Sequence, residues 1–428
     1  MAFLPRAVYP LILGSALLMF AGGVNGLILP VRGSQEGFSS FSLGLLGTGW
    51  ALGYILGCLV MPRTVARVGH IRAFGAMTAL AVVSVLATLL VIQPWAWIPL
   101  RGVAGFAFAG AAMIVESWLN ERADAASRGR VFGLYTMVNL AATTFGQMAL
   151  TTGDTATHLF FVIAAIFYAL ALLPSGLYAS HAPNPLVGAS LDLPTLWRNS
   201  PVAVVSVVLI GISNSAFGTL GAVYADRIDL DITAIALFMS ISILAGAGAQ
   251  VPIGYFSDRM DRRIVLVAIA AVALAVDLFL IVVQPSSVPV ALAASAVFGA
   301  AIFSMYPVIV AHANDHAPDN YFLRTSGGLL LLFGAGSIAG PLLAGGIMSV
   351  TGPSGLFWAT ALVHLSLIGY ALWRIRQRAA VPQAEKSDFV PVAPARYATM
   401  ETASLDPRAE EEEIEEQRVD EPAEEPGG

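Results

Sequence analysis

The sequence predicts an all-α membrane protein whose twelve transmembrane helices form two pseudo-repeated six-helix bundles. The first observation behind this prediction is composition: of the 428 residues, 57% are hydrophobic and only 12% are charged. One soluble core cannot bury that much apolar surface, so lipid must be the solvent for most of the chain. The second observation is a series of long apolar runs, and the third is a similarity between the two halves of the sequence.

Apolar runs of about 18 to 25 residues, the length that a helix needs to cross a bilayer, recur along the chain. Backbone groups in lipid must be paired within the segment and no run alternates like a barrel strand, so each run is predicted to be a helix. The first six approximate spans are 7–31, 41–62, 73–93, 97–119, 131–151 and 157–178. The other six are 201–223, 232–253, 263–284, 288–311, 326–348 and 355–373. The first run lacks a small-residue cleavage site and is interpreted as a retained span.

Arginines fall mainly on one side of the membrane when these spans alternate across it. That side carries Arg6, Arg63, Arg67, Arg72, Arg122, Arg128, Arg130, Arg198, Arg259, Arg262, Arg263, Arg324, Arg374, Arg376 and Arg378. The opposite side carries Arg32 and Arg227. Because basic loops stay in the cytoplasm, this asymmetry predicts that both termini are cytoplasmic.

Four segments are expected from composition: a six-helix bundle over residues 1–178, a linker over 179–200 rich in Pro, Ser and Asn, a second bundle over 201–375, and a disordered acidic cytoplasmic tail over 376–428. Fourteen of the 28 acidic residues follow Trp373, so the net charge of -6 describes this tail and gives no reason to expect a nucleic-acid partner. The tail is interpreted either as a solvated segment without function or as a regulatory or partner-binding segment.

Enzyme chemistry is not predicted. The single cysteine, Cys58, excludes an intramolecular disulfide and a cysteine-based metal site, and no Walker loop, metal-ligand spacing or pair of carboxylates in a soluble domain is found. We therefore expect no cofactor and no metal. Without an ATP-binding module, any transport must draw on a gradient or on the substrate itself.

The two halves resemble each other in sequence. A shift of 192 residues sets Gly26 against Gly218 and Arg67 against Arg259, and a shift of 189 sets "GAAMI" (110–114) over "GAAIF" (299–303). Two similar six-helix halves related along the membrane normal are typical of alternating-access carriers, which hold substrate between the halves.

The stretch "GYFSDRMDRR" (254–263) is similar to the cytoplasmic signature of the major facilitator superfamily, which lies between spans two and three and recurs between spans eight and nine. The matching residues are Gly254, Asp258, Arg259, Arg262 and Arg263, with Asp261 where that family usually has glycine. In the first-half copy, Pro62 replaces the glycine and Ala66 replaces the aspartate. The stretches "ESWLNERADAASRGR" (116–130) and "YPVIVAHAND" (306–315) further resemble the YcaD-like bacterial branch, which implies a bacterial inner (plasma) membrane.

The resemblance also implies a charged latch. In that family the signature aspartate caps a helix of the other half and pairs with nearby arginines in the outward-open state. We therefore predict that Asp258 lies near Arg128 or Arg130 at the start of the fifth span, where the helix dipole also favours an anion.

Ionisable residues inside the spans are the coupling candidates, because a charge in the bilayer is costly and usually faces inward. Arg101, followed by Gly105, is similar to the family's fourth-span arginine motif, which is associated with proton transfer; the alternative is an arginine that binds neighbouring carbonyls. Glu116 is either a helix end paired with nearby arginines or a desolvated carboxylate that takes up a proton. Asp277 and His364 lie on spans expected at the periphery, where a structural or snorkelling role is predicted.

Polar and aromatic residues on the spans that line the cavity in this family are the substrate candidates. They are Asn25, Trp50, Tyr54, Asn139, Gln147, Asn214 and Tyr306. Each alone could instead be an interhelical hydrogen bond. As a set they predict a mildly polar cavity with few fixed charges, which suits a small neutral or amphiphilic organic solute.

The predicted function is proton-coupled secondary transport of such a solute by alternating access, in a monomer surrounded by lipid; symport and antiport are left open. The alternative is a transporter-like membrane sensor or scaffold that signals through its acidic tail.

Overall fold

The protein is helical throughout the part that the structure describes. The structure is a computed structural model that describes residues 8–123, 127–177, 186, 191–285, 287–318, 321–392, 395–406 and 408–409. The first half contains α1 (Val8–Gln35), α2 (Ser40–Val68), α3 (His70–Ala87), α4 (Pro94–Arg122), α5 (Arg128–Met148), α6 (Leu159–Leu170) and α7 (Leu172–Leu177). The linker contains α8 (Leu193–Asn199). The second half contains α9 (Pro201–Arg227), α10 (Ile232–Arg259), α11 (Arg262–Val283), α12 (Val288–Asn314), α13 (Phe322–Thr351) and α14 (Gly355–Ile375), and the tail contains α15 (Met400–Ser404).

These helices correspond to the twelve predicted spans. Ten of the described helices, α1 to α4 and α9 to α14, are long and apolar enough to cross a membrane. The fifth span is α5, which is more polar because it begins at Arg128 and carries several Thr and Asn side chains. The sixth is α6 followed by α7. Most helices extend beyond the predicted apolar runs, because the helical backbone continues into the polar residues at each membrane surface.

Two helix starts show the internal repeat at the level of single residues. The side chain of Ser39 accepts a hydrogen bond from the amide of Ser42 and caps α2. The side chain of Asp231 accepts one from the amide of Ala234 and caps α10. Asp231 lies 192 residues after Ser39, which is the shift that aligns the two halves in sequence. Each cap satisfies a backbone donor that the first turn of a helix leaves unpaired.

The same helix pairs pack in both halves. In the first half α1 packs on α5 and α6, α2 packs on α4, and α3 packs on α4 and α6. In the second half α9 packs on α13 and α14, α10 packs on α12, and α11 packs on α12 and α14. These pairs are equivalent under the repeat, so the two halves have one topology. Between the halves, α2 contacts α13 and α5 contacts α10, which are again equivalent pairs.

Small residues let α13 approach α9 closely. A Cβ added at Gly336 would lie 2.2 Å from the carbonyl oxygen of Val208, and one added at Gly340 would lie 2.2 Å from that of Ile212. In lipid, where helices gain no hydrophobic free energy by associating, such close backbone contact is a main source of helix affinity.

The bundle has an arginine-rich side and, opposite it, a far side. The arginine-rich side holds the ends of α2, α4, α10 and α14 together with the starts of α3, α5 and α11. The far side holds the connections from α1 to α2, from α9 to α10 and from α13 to α14.

The tail differs from the expectation of disorder. Its described residues include a 3-10 turn at Gln383–Glu385, another at Ala395–Tyr397, and α15. They pack against the bundle, as described below. Residues 410–428, including the acidic stretch "EEEEIEEQ", lie outside the described residues.

A polar cluster is buried inside the second half, between α9, α11 and α14. The Asp277 carboxylate contacts Nδ1 of His364 at 2.6 Å and accepts a hydrogen bond of 2.6 Å from the Thr360 hydroxyl. On the other side of the ring, Nε2 of His364 lies 2.9 Å from the Ser213 hydroxyl. Asp277 and His364 are both fully buried, so the structural role predicted for them fits and snorkelling does not.

We predict that His364→Ala strongly destabilises the protein, because it leaves the buried Asp277 carboxyl without its main partner. Removing one member of a buried pair typically costs about 3 to 5 kcal/mol. Thermal unfolding of the purified protein in detergent measures the effect, with Asp277→Asn, which keeps a polar partner for the imidazole, as the milder control. A melting temperature unchanged by His364→Ala would show that the cluster contributes nothing to stability.

Candidate functional site between the two halves

The two halves touch at the far side. A Cβ added at Gly44 of α2 would lie 2.2 Å from the carbonyl oxygen of Pro341 in α13, so only glycine permits this approach. Next to it, the Thr48 hydroxyl donates a hydrogen bond of 2.8 Å to the carbonyl of Ile338. These contacts leave no room for solute between α2 and α13 at this end.

Polar contacts close the rest of the far side. Arg227, at the end of α9, donates hydrogen bonds to the hydroxyl of Ser40 and, at 3.1 Å, to the carbonyl of Phe38. On the opposite flank, the Ser240 hydroxyl of α10 donates one of 3.0 Å to the side chain of Gln147 at the end of α5. Both equivalent pairs of interface helices are therefore tied together away from the arginine-rich side.

A cavity of about 510 Å³ lies between the halves toward the arginine-rich side. Arg63 and Ala66, near the end of α2, line its mouth, and Trp50 lies deeper. Its volume falls within the range of about 300 to 1,000 Å³ that is usual for small-molecule sites. Three smaller spaces, of about 40, 30 and 30 Å³, also border residues of the tail. The tail therefore divides a larger space between the halves.

The tail first binds the arginine-rich ends of the second half. The amide and hydroxyl of Ser387 each donate a hydrogen bond of 2.9 Å to the Asp315 carboxylate. The amide of Phe389 donates one of 3.2 Å to Asp258. Val392 and the side chain of Gln250 then exchange two hydrogen bonds, of 2.9 and 3.0 Å. The segment thus runs along α10 toward the middle of the bundle.

Deeper in the cavity, the tail enters a group of aromatic rings. The Arg396 guanidinium lies 5.0 Å from the ring centroid of Trp50, a cation–π distance. The ring of Tyr397 lies 6.2 Å from that of Trp50 and 5.9 Å from that of Phe108. The Tyr54 hydroxyl donates a hydrogen bond of 3.2 Å to the carbonyl of Ala398.

The buried carboxylate of Glu116 is the polar centre of the site, with a relative exposure of 1%. Tyr135 of α5 donates a hydrogen bond of 2.6 Å to it, and Thr402 donates one of 2.8 Å. Thr399 donates a third, to the other carboxylate oxygen. Thr399 and Thr402 also form the capping box of α15, which holds both hydroxyls at one end of that helix.

Glu401 lies in the same turn of the tail and is also buried. Burial first, and then the nearby Glu116 carboxylate, raise the pKa of Glu401 to about 8. The protonated form of Glu401 is therefore favoured by its surroundings, which limits repulsion between it and the Glu116 carboxylate.

The sequence leaves two interpretations of Glu116 open, a helix end paired with arginines and a desolvated carboxylate that takes up a proton. Among the described residues, the hydroxyls of Tyr135, Thr399 and Thr402 bond to this carboxylate, which is buried inside the molecule. Proton uptake by Glu116 stays a prediction. Arg101 is also buried, and its guanidinium lies 6.0 Å from the ring centroid of Trp50.

Gly105, four residues after Arg101, has a packing role. A Cβ there would lie 2.2 Å from the carbonyl oxygen of Trp50, so this glycine lets α4 cross α2 next to the aromatic group.

The predicted cavity residues surround the divided space. Trp50 and Tyr54 line the largest cavity, Gln147 and Asn214 line the second, Tyr306 lines the third, and Asn139 lies in the space that Glu116 borders. Asn139 also accepts a hydrogen bond of 2.8 Å from Ser15, which is the interhelical role weighed for such amides. Asn25 is buried on α1, and its amide oxygen finds no partner among the described residues.

The charged stretch 254–263 forms the turn between α10 and α11. Arg262 binds Asp315 at 2.6 Å with both side chains buried, and it also contacts Asp258 at 3.2 Å. Arg263 pairs with Asp261 at 2.7 Å. Arg259 is exposed and stacks on Tyr255 at 3.7 Å from the ring centroid.

The turn also explains Asp261, which stands where the resembled signature has glycine. The first-half turn uses Gly69 at a φ of +81°, a conformation that side chains disfavour. Asp261 instead has a φ of -56°, and its side chain accepts a hydrogen bond from the amide of Arg263, which caps α11. The second turn therefore does not require glycine.

The predicted latch concerns a different state of the molecule. Here the arginine-rich side is open, and Asp258 bonds to Arg262 and to the amide of Phe389. Arg128 is buried at the start of α5, and Arg130, two residues further on, is exposed. The pairing of Asp258 with either arginine belongs to the state in which this side closes, and it stays a prediction.

Sequence reasoning missed four residues that shape the site: Asp315, Tyr135, Thr399 and Thr402. Asp315 ends the quoted stretch "YPVIVAHAND" and could have been considered as a partner for the paired arginines. The tail carried a signal of its own, because "FVPVAPARYATMETASL" (389–405) is rich in apolar and aromatic residues and poor in acidic ones, unlike the sequence after it.

Two six-helix halves of one topology that close at one end around a central cavity define a membrane carrier fold. The chain belongs to the Major Facilitator Superfamily, whose family model matches residues 11–321 and 202–408. It is therefore a multi-pass membrane protein of a transporter family.

Relatives and solved structures agree with this assignment. The chain is 26% identical over 389 residues to the uncharacterized MFS-type transporter YcaD of Escherichia coli, an alignment that covers 88% of this chain and 97% of YcaD. The same values hold for YcaD of Shigella flexneri. The fold is similar to the nucleoside transporter NupG (TM-score 0.72, 14% identity, 87% of this chain and 100% of that one). It is also similar to an inward-facing, occupied bacterial homolog of the human lysosomal transporter Spinster (TM-score 0.69, 13% identity, 89% and 97%).

We predict that Gly44→Val prevents the far side from closing, because the new side chain meets the backbone of Pro341. Gly346→Val is the matched control, since a Cβ at Gly346 meets nothing within 4 Å. Thr219 packs against Gly47 at this interface. The accessibility of the far side to solvent is measured by the labelling of Thr219→Cys with a membrane-impermeant maleimide, in protein that also carries Cys58→Ser. Labelling should rise in Gly44→Val alone. Equal labelling in both glycine variants would contradict the closure described above.

Proposed function

We propose that this protein is a secondary transporter that moves a small organic solute across the membrane by alternating access. The observation that carries the proposal is the space between two equivalent halves, which α2 and α13 close at one end and which opens at the other. In this proposal the halves rock about the cavity, so that the equivalent contacts open at the far side as the arginine-rich side closes.

The lining of the cavity supports a neutral or amphiphilic organic solute. Trp50, Tyr54 and Phe333 present aromatic surface, and Ser337 and Tyr54 present hydroxyls. Among the described residues outside the tail, Arg63 at the mouth is the charged group that lines the cavity of about 510 Å³. A phosphate or a dicarboxylate would require several fixed cations, so these solutes fit the site less well.

Glu116 is the proposed proton-coupling residue. Its carboxylate is buried in the path between the halves, and its partners are hydroxyls rather than fixed cations. A carboxylate in such a place can exchange a proton at modest cost when the cavity opens to water. Arg101 stays a second candidate, through its position beside Trp50.

We further propose that the arginine-rich side faces the cytoplasm of a bacterial inner membrane. The excess of arginine in the turns on that side supports this orientation through the positive-inside rule. In this orientation the present structure is an inward-open state.

The sensor or scaffold alternative keeps one specific argument, the docking of the tail at the centre of the molecule. A sensor would need the tail to report on the ligand, whereas a transporter needs the tail to leave the path. Transport activity that survives truncation after residue 382 would favour the transporter.

A ligand screen tests the proposal on the full-length protein. Small neutral and amphiphilic compounds that bind the folded state should raise the melting temperature in detergent. Counterflow of a stabilising compound in proteoliposomes then tests transport itself. If compounds bind but neither the full-length protein nor the protein truncated after residue 382 shows counterflow, the transporter proposal fails and the sensor alternative gains support.

We predict that Glu116→Gln abolishes uptake driven by a pH gradient but leaves counterflow intact, because glutamine keeps the shape and cannot exchange a proton. Tyr135→Phe, which removes one hydrogen bond to Glu116 and keeps the carboxyl, is the control and should retain gradient-driven uptake. Uptake that responds to the pH gradient equally in Glu116→Gln and in the unmodified protein would remove Glu116 from the mechanism.

A further inference from the structure

We propose that the described residues of the tail, 383–392, 395–406 and 408–409, form an autoinhibitory plug, which occupies the solute cavity and holds the arginine-rich side open. The inference rests on the proposed function only in treating the cavity as the solute path. Contacts between the described residues of this segment and the bundle support it.

The plug binds both halves, so it bridges the parts that must move. In the first half it bonds to Tyr54 and Glu116. In the second half it bonds to Gln250, Asp258 and Asp315. A segment anchored on both sides of an opening resists closure, because closure must remove the volume that the segment fills.

The plug takes the place that a solute would occupy. Its residues border every one of the four spaces described above, and those spaces contain Trp50, Tyr54, Gln147, Asn214 and Tyr306. Solute and plug therefore cannot reach these side chains together.

The plug also satisfies the buried Glu116 carboxylate with the two hydroxyls of Thr399 and Thr402. A buried carboxylate without donors is costly, so these hydrogen bonds favour the docked tail. Both hydroxyls come from one capped turn, and they reach the carboxylate as a pair.

The charged turn of the second half is engaged as well. Asp258, the residue of the predicted latch, accepts a hydrogen bond from the amide of Phe389, and Arg262 donates to the carbonyl of Ser387. When the tail is docked, Asp258 and Arg262 therefore form hydrogen bonds with the tail that compete with the bonds a latch would form with the other half.

Two glycines give the plug its space. A Cβ at Gly254 would lie 2.4 Å from the ring of Phe389, and a Cβ at Gly218 would lie 2.3 Å from the guanidinium of Arg396. Because these two positions have no side chain, Phe389 and Arg396 can lie directly against the backbone of the bundle helices.

Docking is tested by hydrogen–deuterium exchange on the full-length protein. The peptide containing Phe389 and Val392, whose amides are bonded to the bundle, should exchange slowly. The double variant Thr399→Ala/Thr402→Ala loses both hydrogen bonds to Glu116, so exchange of that peptide should rise by about tenfold or more. The variant Thr399→Ser/Thr402→Ser keeps both hydroxyls and should match the unmodified protein.

Closure is tested by the distance between spin labels on cysteines at Val68 and Arg324, in Cys58→Ser protein. These positions lie at the arginine-rich ends of α2 and α13. The unmodified tail and the serine variant should give one long distance, and the alanine variant should add a shorter population. Fast exchange of the tail in the unmodified protein, or a distance distribution that the alanine variant leaves unchanged, would overturn the proposal. Neither measurement depends on transport. The plug proposal can therefore be refuted while the proposed transport function is retained, and the transport function can be refuted while the plug proposal is retained.

Discussion

The contact between α2 and α13 at the far side is the constraint on which the rest of the arrangement depends. Gly44 brings the backbone of α2 against Pro341, and Thr48 bonds to a carbonyl of the same helix. Two rigid bundles that touch at one end must separate at the other. The cavity, its mouth at the arginine-rich side and the access of the tail to Glu116 all follow from this geometry.

Polar groups that are buried inside a membrane protein need hydrogen-bonding partners. Glu116 is the clearest case, because its carboxylate is buried and accepts hydrogen bonds from hydroxyls of both the bundle and the tail. Asp277 presents the same problem inside one half, where His364 and Thr360 solve it permanently. The difference is that the partners of Glu116 from the tail lie on a segment that can leave. This contrast supports the proposed transport role for Glu116 and a structural role for Asp277.

The fold could be predicted from the sequence because lipid imposes strong rules on it. Span length, helical backbone and arginine asymmetry each depend on the membrane itself, and the repeat that aligns Gly26 with Gly218 identified the two halves. The aromatic and amide residues of the cavity could be selected by helix, and six of the seven line the spaces found between the halves. The position of the tail could not be predicted, because the apolar stretch 389–405 indicates that it could pack but not what it would pack against. What holds it are specific long-range contacts, such as Thr399 with Glu116 and Val392 with Gln250, which leave no local pattern. The role of Asp261 as the cap of α11 could not be predicted either. The sequence shows only that aspartate replaces the glycine of the signature, and the reason for the replacement lies in the backbone conformation of the turn.

One measurement tests the central claim, that the tail lies in the cavity between the halves, most directly. The native Cys58 and Ala398 line the same cavity. A cysteine at Ala398 should therefore be joined to Cys58 by a short bis-maleimide within one molecule, as mass spectrometry of the digested protein would show. A cysteine at Ser349, exposed near the far end of α13, serves as the control and should not be joined. A link from Cys58 to position 398 in high yield, without one to position 349, is the predicted result. Failure to link position 398, or equal yields at both positions, would contradict the account.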